Sequence, residues 1–166
     1  SLMASLPEPG EITSKKQLDA IGAVEWTLSN GVKVVVKPTD FKNDEVMMQA
    51  FSPGGTSRIG DAAFASGRFA ASVASAGGVG ELDAVALTKA LQGKDASVRA
   101  FVGELEEGLR GSASPKDLET MMQLVYLSFT APRADEEAFT AFKESQREFV
   151  RNRDLNPQSV FFERLQ

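Results

Sequence analysis

The chain contains no cysteine and no histidine. Without cysteine there is no disulfide framework, no thiolate metal site and no cysteine nucleophile, and a cysteine-free protein survives in either redox environment. The missing histidine excludes more. Imidazole is the commonest zinc ligand and the commonest general base near neutral pH, so serine triads, histidine-bearing zinc sites and most hydrolytic machinery are ruled out in this chain. Clusters of lysine and arginine are also lacking. With a net charge of -5 and a pI near 4.9, the chain is unsuited to nucleic acid or to an anionic membrane surface. No apolar run approaches the ~20 residues of a membrane-spanning helix, and the N-terminus carries no basic and apolar block of the signal-peptide kind.

What is present suits one ordinary globular domain: 166 residues, 42% hydrophobic and 25% charged, enough to bury a core. Ser1 to Ala20, with Pro7, Pro9 and Gly10 and little periodicity, reads as a linker or wrapping arm, as in a segment cut from a longer chain. Residues 21–166 then read as a single α+β domain, truncated at its C-terminal end.

The stretch Trp26 to Thr56 predicts three successive strands, the first two turned at Asn30-Gly31, the dipeptide that most readily accepts positive φ in a hairpin. A helix follows from Asp61 to Ala76, with Phe64, Phe69 and Val73 spaced along one face and Gly77-Gly78 ending it. A shorter helix is expected from Leu82 to Gln92, stopped by Gly93. The glycine-rich run Gly77 to Gly80 does not fit a phosphate loop, because no Lys-Ser or Lys-Thr follows it and it succeeds a helix, not a strand.

A second hairpin is expected from Ala96 to Gly103 and Leu105 to Ala113, with Arg99 and Phe101 on one face and the later strand the weaker for its glycines. Ser114-Pro115 opens a helix to about Thr130 whose stripe of Leu118, Met121, Met122, Val125 and Phe129 reads as core. A last long helix, Asp135 to about Asp154, would turn Phe139, Phe142, Phe149 and Val150 inward, and Ser159 to Gln166 looks like a helix that starts and is cut off.

Element order and several motifs together resemble the pitrilysin/insulinase family of zinc metallopeptidases, M16, including its processing-peptidase-like members. The motifs are Leu28-Ser29-Asn30-Gly31-Val32-Lys33-Val34 with Pro38, Phe51-Ser52-Pro53-Gly54-Gly55-Thr56, Ser75-Ala76-Gly77-Gly78, Gly108 to Gly111, and Ser114-Pro115-Lys116-Asp117-Leu118-Glu119. The resemblance implies a largely antiparallel sheet packed against helices on one face. It also implies a parent built of two homologous halves, only one of which holds the inverted motif H-x-x-E-H that binds and activates zinc. By the resemblance that motif would fall on Arg68-Phe69-Ala70-Ala71-Ser72, where none of its three functional residues is kept, and the third-ligand carboxylate would fall near Glu144 or Glu148. No catalytic, cofactor-binding or metal-ligating residue is therefore assigned.

These departures imply a domain of the non-catalytic half, the third of four, walling a peptide chamber, with zinc held in the parent's catalytic half. The implied partners are that half, in the same polypeptide or a paired subunit, and the parent's peptide substrate, with some self-association of the segment itself. The bacterial periplasm is favoured over the cytoplasm. Two other functions compete: an independent binding or scaffold domain that kept the fold, and a carboxylate-only enzyme built on Glu104, Glu106 and Glu107, which lie in one hairpin with no opposing acid marked.

Overall fold

A computed structural model describes residues 1–153. The contacts divide the chain into two compact units, one running from Met3 to Glu45 and the other onward from Val46. Both are antiparallel, and the whole is α+β as expected.

The first unit is a three-stranded sheet of β1 (Ile12–Leu18), β2 (Ala23–Leu28) and β3 (Lys33–Val36) in that order. The β2–β3 hairpin turns where the sequence predicts. Gly31 adopts φ 84°, the Asn30 side chain accepts from the Val32 amide at 3.1 Å, and Trp26 pairs with Val34. The expected arm through Ala20 is corrected, because its second half is β1, paired with β2 from Ile12 to Leu18 through a turn closed by Gly22 at φ 63°. The strand ITSKKQL is polar and exposed along most of its length, as edge strands are when lysines discourage pairing with other chains. Its hydrogen-bond ladder defines it, with no apolar alternation to announce it.

The second unit starts with β4 (Val46–Pro53), the third strand of the expected run, which does not extend the first sheet. It pairs with β6 (Glu106–Ala113), which pairs in turn with β5 (Ala96–Val102), giving the order β4-β6-β5. The glycine-bearing strand that looks weak in sequence is thus the central one. Its glycines answer to close packing. A Cβ on Gly111 would lie 3.0 Å from Met121 Sδ, and one on Gly108 would collide with the carbonyl oxygen of Ala50.

Among the described residues the second unit carries four α-helices: α1 (Asp61–Ala76), α2 (Ala84–Ala90), α3 (Leu118–Thr130) and α4 (Glu136–Arg153). Helix α1 has the predicted bounds, with Gly60 at its N-cap and Asp61 in the first turn, where its charge suits the helix dipole. Asp83 caps α2 by accepting from the Ala86 amide at 2.7 Å. Ser114-Pro115 opens a short 3-10 turn, Pro115–Asp117, that runs into α3. The core lies where α3 meets β6: Leu109, Ala113, Met121, Leu124 and Leu127 are buried.

Two side-chain expectations are corrected, on α3 and α4. On α3 the buried face carries Met121, Leu124 and Leu127, while Met122 and Phe129 are exposed at 45% and 65%. Apolar residues surround this helix, so spacing admits two stripes, and contact with the sheet selects one. On α4, Phe149 and Val150 are exposed at 68% and 61%, Phe139 is exposed, and Phe142 alone of the four is half-buried. On α1, Phe64 and Phe69 are each 44% exposed and Val73 is half-buried. The expected helix from Ser159 to Gln166 lies outside the described residues.

Candidate functional site

Helices α1 and α4 enclose an open groove of about 1020 Å³. Its floor and walls are apolar, formed by Phe69, Ala70 and Val73 from α1 and Phe139 and Phe142 from α4. Phe69 and Phe142 meet edge to face, ring centroids 5.9 Å apart at 67°. Charged groups stand at the rim, with Arg133 Nε 3.5 Å from Asp135 Oδ2 and Lys143 Nζ 4.9 Å above the Phe139 ring. Asp135 also caps α4, accepting from the Ala138 amide at 2.9 Å, and this hydrogen bond is the main cause that holds its carboxyl below the usual range.

The five residues on which the family resemblance would put the zinc motif, Arg68 to Ser72, lie on the middle of α1. Arg68 stands 6.0 Å from the Phe64 ring, Phe69 and Ala70 line the groove, Ala71 is half-buried and Ser72 is exposed. On α4, Glu144 pairs with Arg147 and Glu148 is exposed. A protein zinc site needs three or four imidazole, thiolate or carboxylate donors converging on one point. An arginine, an alanine and a serine in the three functional positions supply no such set, so these residues do not fit the metal. No group of three His, Cys, Asp or Glu able to hold a metal ion exists among the described residues.

The acidic hairpin is scattered by the pleat. Glu107 accepts from the Gly55 amide at 3.3 Å, and Glu106 lies on the opposite face of β6. The two cannot act as a facing acid pair. The glycine run Gly77 to Gly80 is packed backbone to backbone: added carbons on Gly77 and Gly78 would collide with the carbonyls of Arg133 and Leu82. Its amides are engaged too, Val79 donating to Leu82 O at 2.9 Å and Gly80 to Ala131 O at 2.8 Å. This leaves no nest of free amides for a phosphate.

A second surface is built by strand register. Helices cover one face of the β4-β6-β5 sheet, through Leu109, Gly111 and Ala113 of the central strand. On the other face three rows cross the strands. Met47, Ser112 and Ser97 form one, Gln49, Arg110 and Arg99 the next, and Phe51, Gly108 and Phe101 the third. Met47 and Phe51 are 79% and 65% exposed. Arg110 lies 4.6 Å over the Phe101 ring. The alternation of β5 places Arg99 and Phe101 on one face in sequence. The pairing of Arg99 with Arg110 could not be found there, because it depends on the register between β5 and β6.

No protein-family model matches the chain. It is 30% identical over 165 residues to a zinc protease PQQL-like protein of Arabidopsis thaliana, a match covering 99% of the chain and 15% of the relative. It is 26% identical over 149 residues to the probable zinc protease PqqL of Haemophilus influenzae, covering 90% of the chain and 16% of the relative. Among solved structures, the periplasmic protease PqqL from Escherichia coli superposes with a TM-score of 0.80 at 22% identity, covering 99% of the chain and 18% of that protein. The ferredoxin protease FusC, solved in complex with Arabidopsis ferredoxin, gives 0.78 at 20% identity, covering 97% of the chain and 18% of that protein. The chain spans less than a fifth of each of these proteins, and it is homologous to one segment of M16 zinc proteases.

Proposed function

We propose that the chain is a non-catalytic domain of a zinc-dependent metalloendopeptidase, walling one side of the chamber in which the parent protein holds and cuts a peptide. The observation that carries this reading is the helix α1 itself. Homology to zinc proteases runs along nearly the whole chain, yet where the family resemblance would put the zinc-binding motif the chain has Arg68, Ala71 and Ser72, and it has no histidine to offer elsewhere. The apolar α1–α4 groove supports the same reading, since phenylalanines and alanines fill the space where charged ligands would be needed.

In this reading zinc is bound by the catalytic half, on the same polypeptide or a paired subunit, and proteolysis belongs to the assembly. The periplasmic location of the Escherichia coli neighbour supports the periplasm as the compartment. Purified without metal-affinity resin, the chain is expected to carry no stoichiometric zinc by elemental analysis and to leave a quenched fluorescent peptide uncut. One zinc per chain, or cleavage abolished by EDTA, would sink the reading. The parent's coding sequence is expected to contain H-x-x-E-H outside this segment or in a paired subunit.

A further inference from the structure

The uncovered face of the β4-β6-β5 sheet sets two arginines directly opposite each other, Arg99 on β5 and Arg110 on β6. Directly opposed side chains on neighbouring strands lie about 5 Å apart at Cβ, and like charges there repel. Neither guanidinium is ion-paired among the described residues. The carboxylate on the same face of β6 is Glu106, four residues from Arg110 and hence roughly 13 Å away along the strand, too far to neutralise the pair. Repulsion is thus retained in a chain whose net charge is -5. On one side of the pair Phe51 and Phe101 flank Gly108, which has no side chain; on the other stand Ser97 and Ser112 with the exposed Met47 at the end of their row, and Gln49 lies beside Arg110.

We infer that this face is a docking surface for an acidic, extended polypeptide segment. Its carboxylates would be taken by Arg99 and Arg110 and its backbone would cross Gly108, where no side chain stands between Phe51 and Phe101. Arginine offers a planar fork of donors that matches a carboxylate in two parallel hydrogen bonds, and stacking on Phe101 holds the Arg110 fork in place before a partner arrives. One incoming carboxylate relieves the repulsion between both arginines, so the site favours an anion over a neutral chain. Calling that segment part of the parent's substrate rests on the function proposed above; the binding itself does not.

The test is binding to the chain, read without proteolysis, so a failed peptidase assay and a failed binding assay remain separate results. A fluorescein-labelled peptide of ten residues rich in glutamate is titrated by anisotropy against its glutamine counterpart. The glutamate peptide is expected to bind about tenfold or more tightly, with affinity falling as salt is added. The double variant Arg99→Gln with Arg110→Gln, both exposed and so compatible with the fold by circular dichroism, is expected to erase that preference. Arg147→Gln, on α4, is expected to keep it. Equal affinity for the two peptides, or an unchanged preference in the double variant, overturns the inference. So does a dimer in sedimentation that Met47→Ser and Phe51→Ser dissolve while no peptide binds, because the face would then belong to a second copy.

Discussion

Asp117 shows how one carboxylate can tie a junction together. It accepts from the Asp95 amide at 3.0 Å and from the Ser114 hydroxyl at 2.9 Å, with Lys94 Nζ 3.8 Å away, so the start of α3 is fastened to the loop before β5. The Asp95 amide, then the Ser114 hydroxyl, hold its carboxyl below the ordinary value of 3.8. A carboxyl lowered in the fold binds protons more weakly there than in the unfolded chain, so its stabilisation is present above about pH 4 and is lost as pH falls through the lowered pKa. Asp117→Asn is therefore expected to lower the melting temperature at pH 6, with the gap to the parent chain narrowing as the pH is taken below 4. A gap that stays constant down to pH 2 would count against this. The glycine of the central strand offers a second residue-scale test. Gly108→Ala places a methyl group against the Ala50 carbonyl, and a loss of about 1–3 kcal/mol by urea unfolding is expected. Ser114-Pro115 and Asp117 were visible in sequence as a helix start; the reach of Asp117 to Asp95 was not, since 22 residues separate them.

At the scale of elements, local chemistry marks boundaries better than faces. Asn30-Gly31, Gly77-Gly78 and Ser114-Pro115 act through their own backbone geometry, so the hairpin and the end of α1 fall where the sequence places them, and Ser114-Pro115 opens the 3-10 turn that runs into α3. Which side of α3 is buried depends on β6, and the answer is Met121, not Met122. Met121 is fully buried and touches the space left by Gly111. Met121→Ala is expected to cost about 2–5 kcal/mol and Met122→Ala far less, and the two compared by thermal unfolding would show whether the assigned face is right. Strand β1 is the reverse case: its pairing with β2 is regular from Ser14 to Leu18, yet its sequence is polar and carries no apolar period.

The chain as a whole leaves much apolar surface open, including Phe129 on α3 and Phe149 and Val150 on α4. Patches of this kind favour association. Sedimentation is expected to show concentration-dependent self-association that Phe149→Ser with Val150→Ser reduces; a monodisperse monomer at high concentration would contradict it. The order and spacing of short motifs, read along the chain, are enough to reach the α+β class and the resemblance to zinc metallopeptidases, and the residue count shows that this chain holds no H-x-x-E-H. Those properties are written in residue identity, and a histidine that is absent cannot be restored by folding. The tertiary structure alone decided that the Trp26 to Thr56 strands divide between two sheets, that the glycine-bearing β6 is central, and that Arg99 faces Arg110. Each of these depends on which strands pair and in what register. A one-residue slip would turn either arginine to the other face, and that choice is set by packing between elements far apart in sequence.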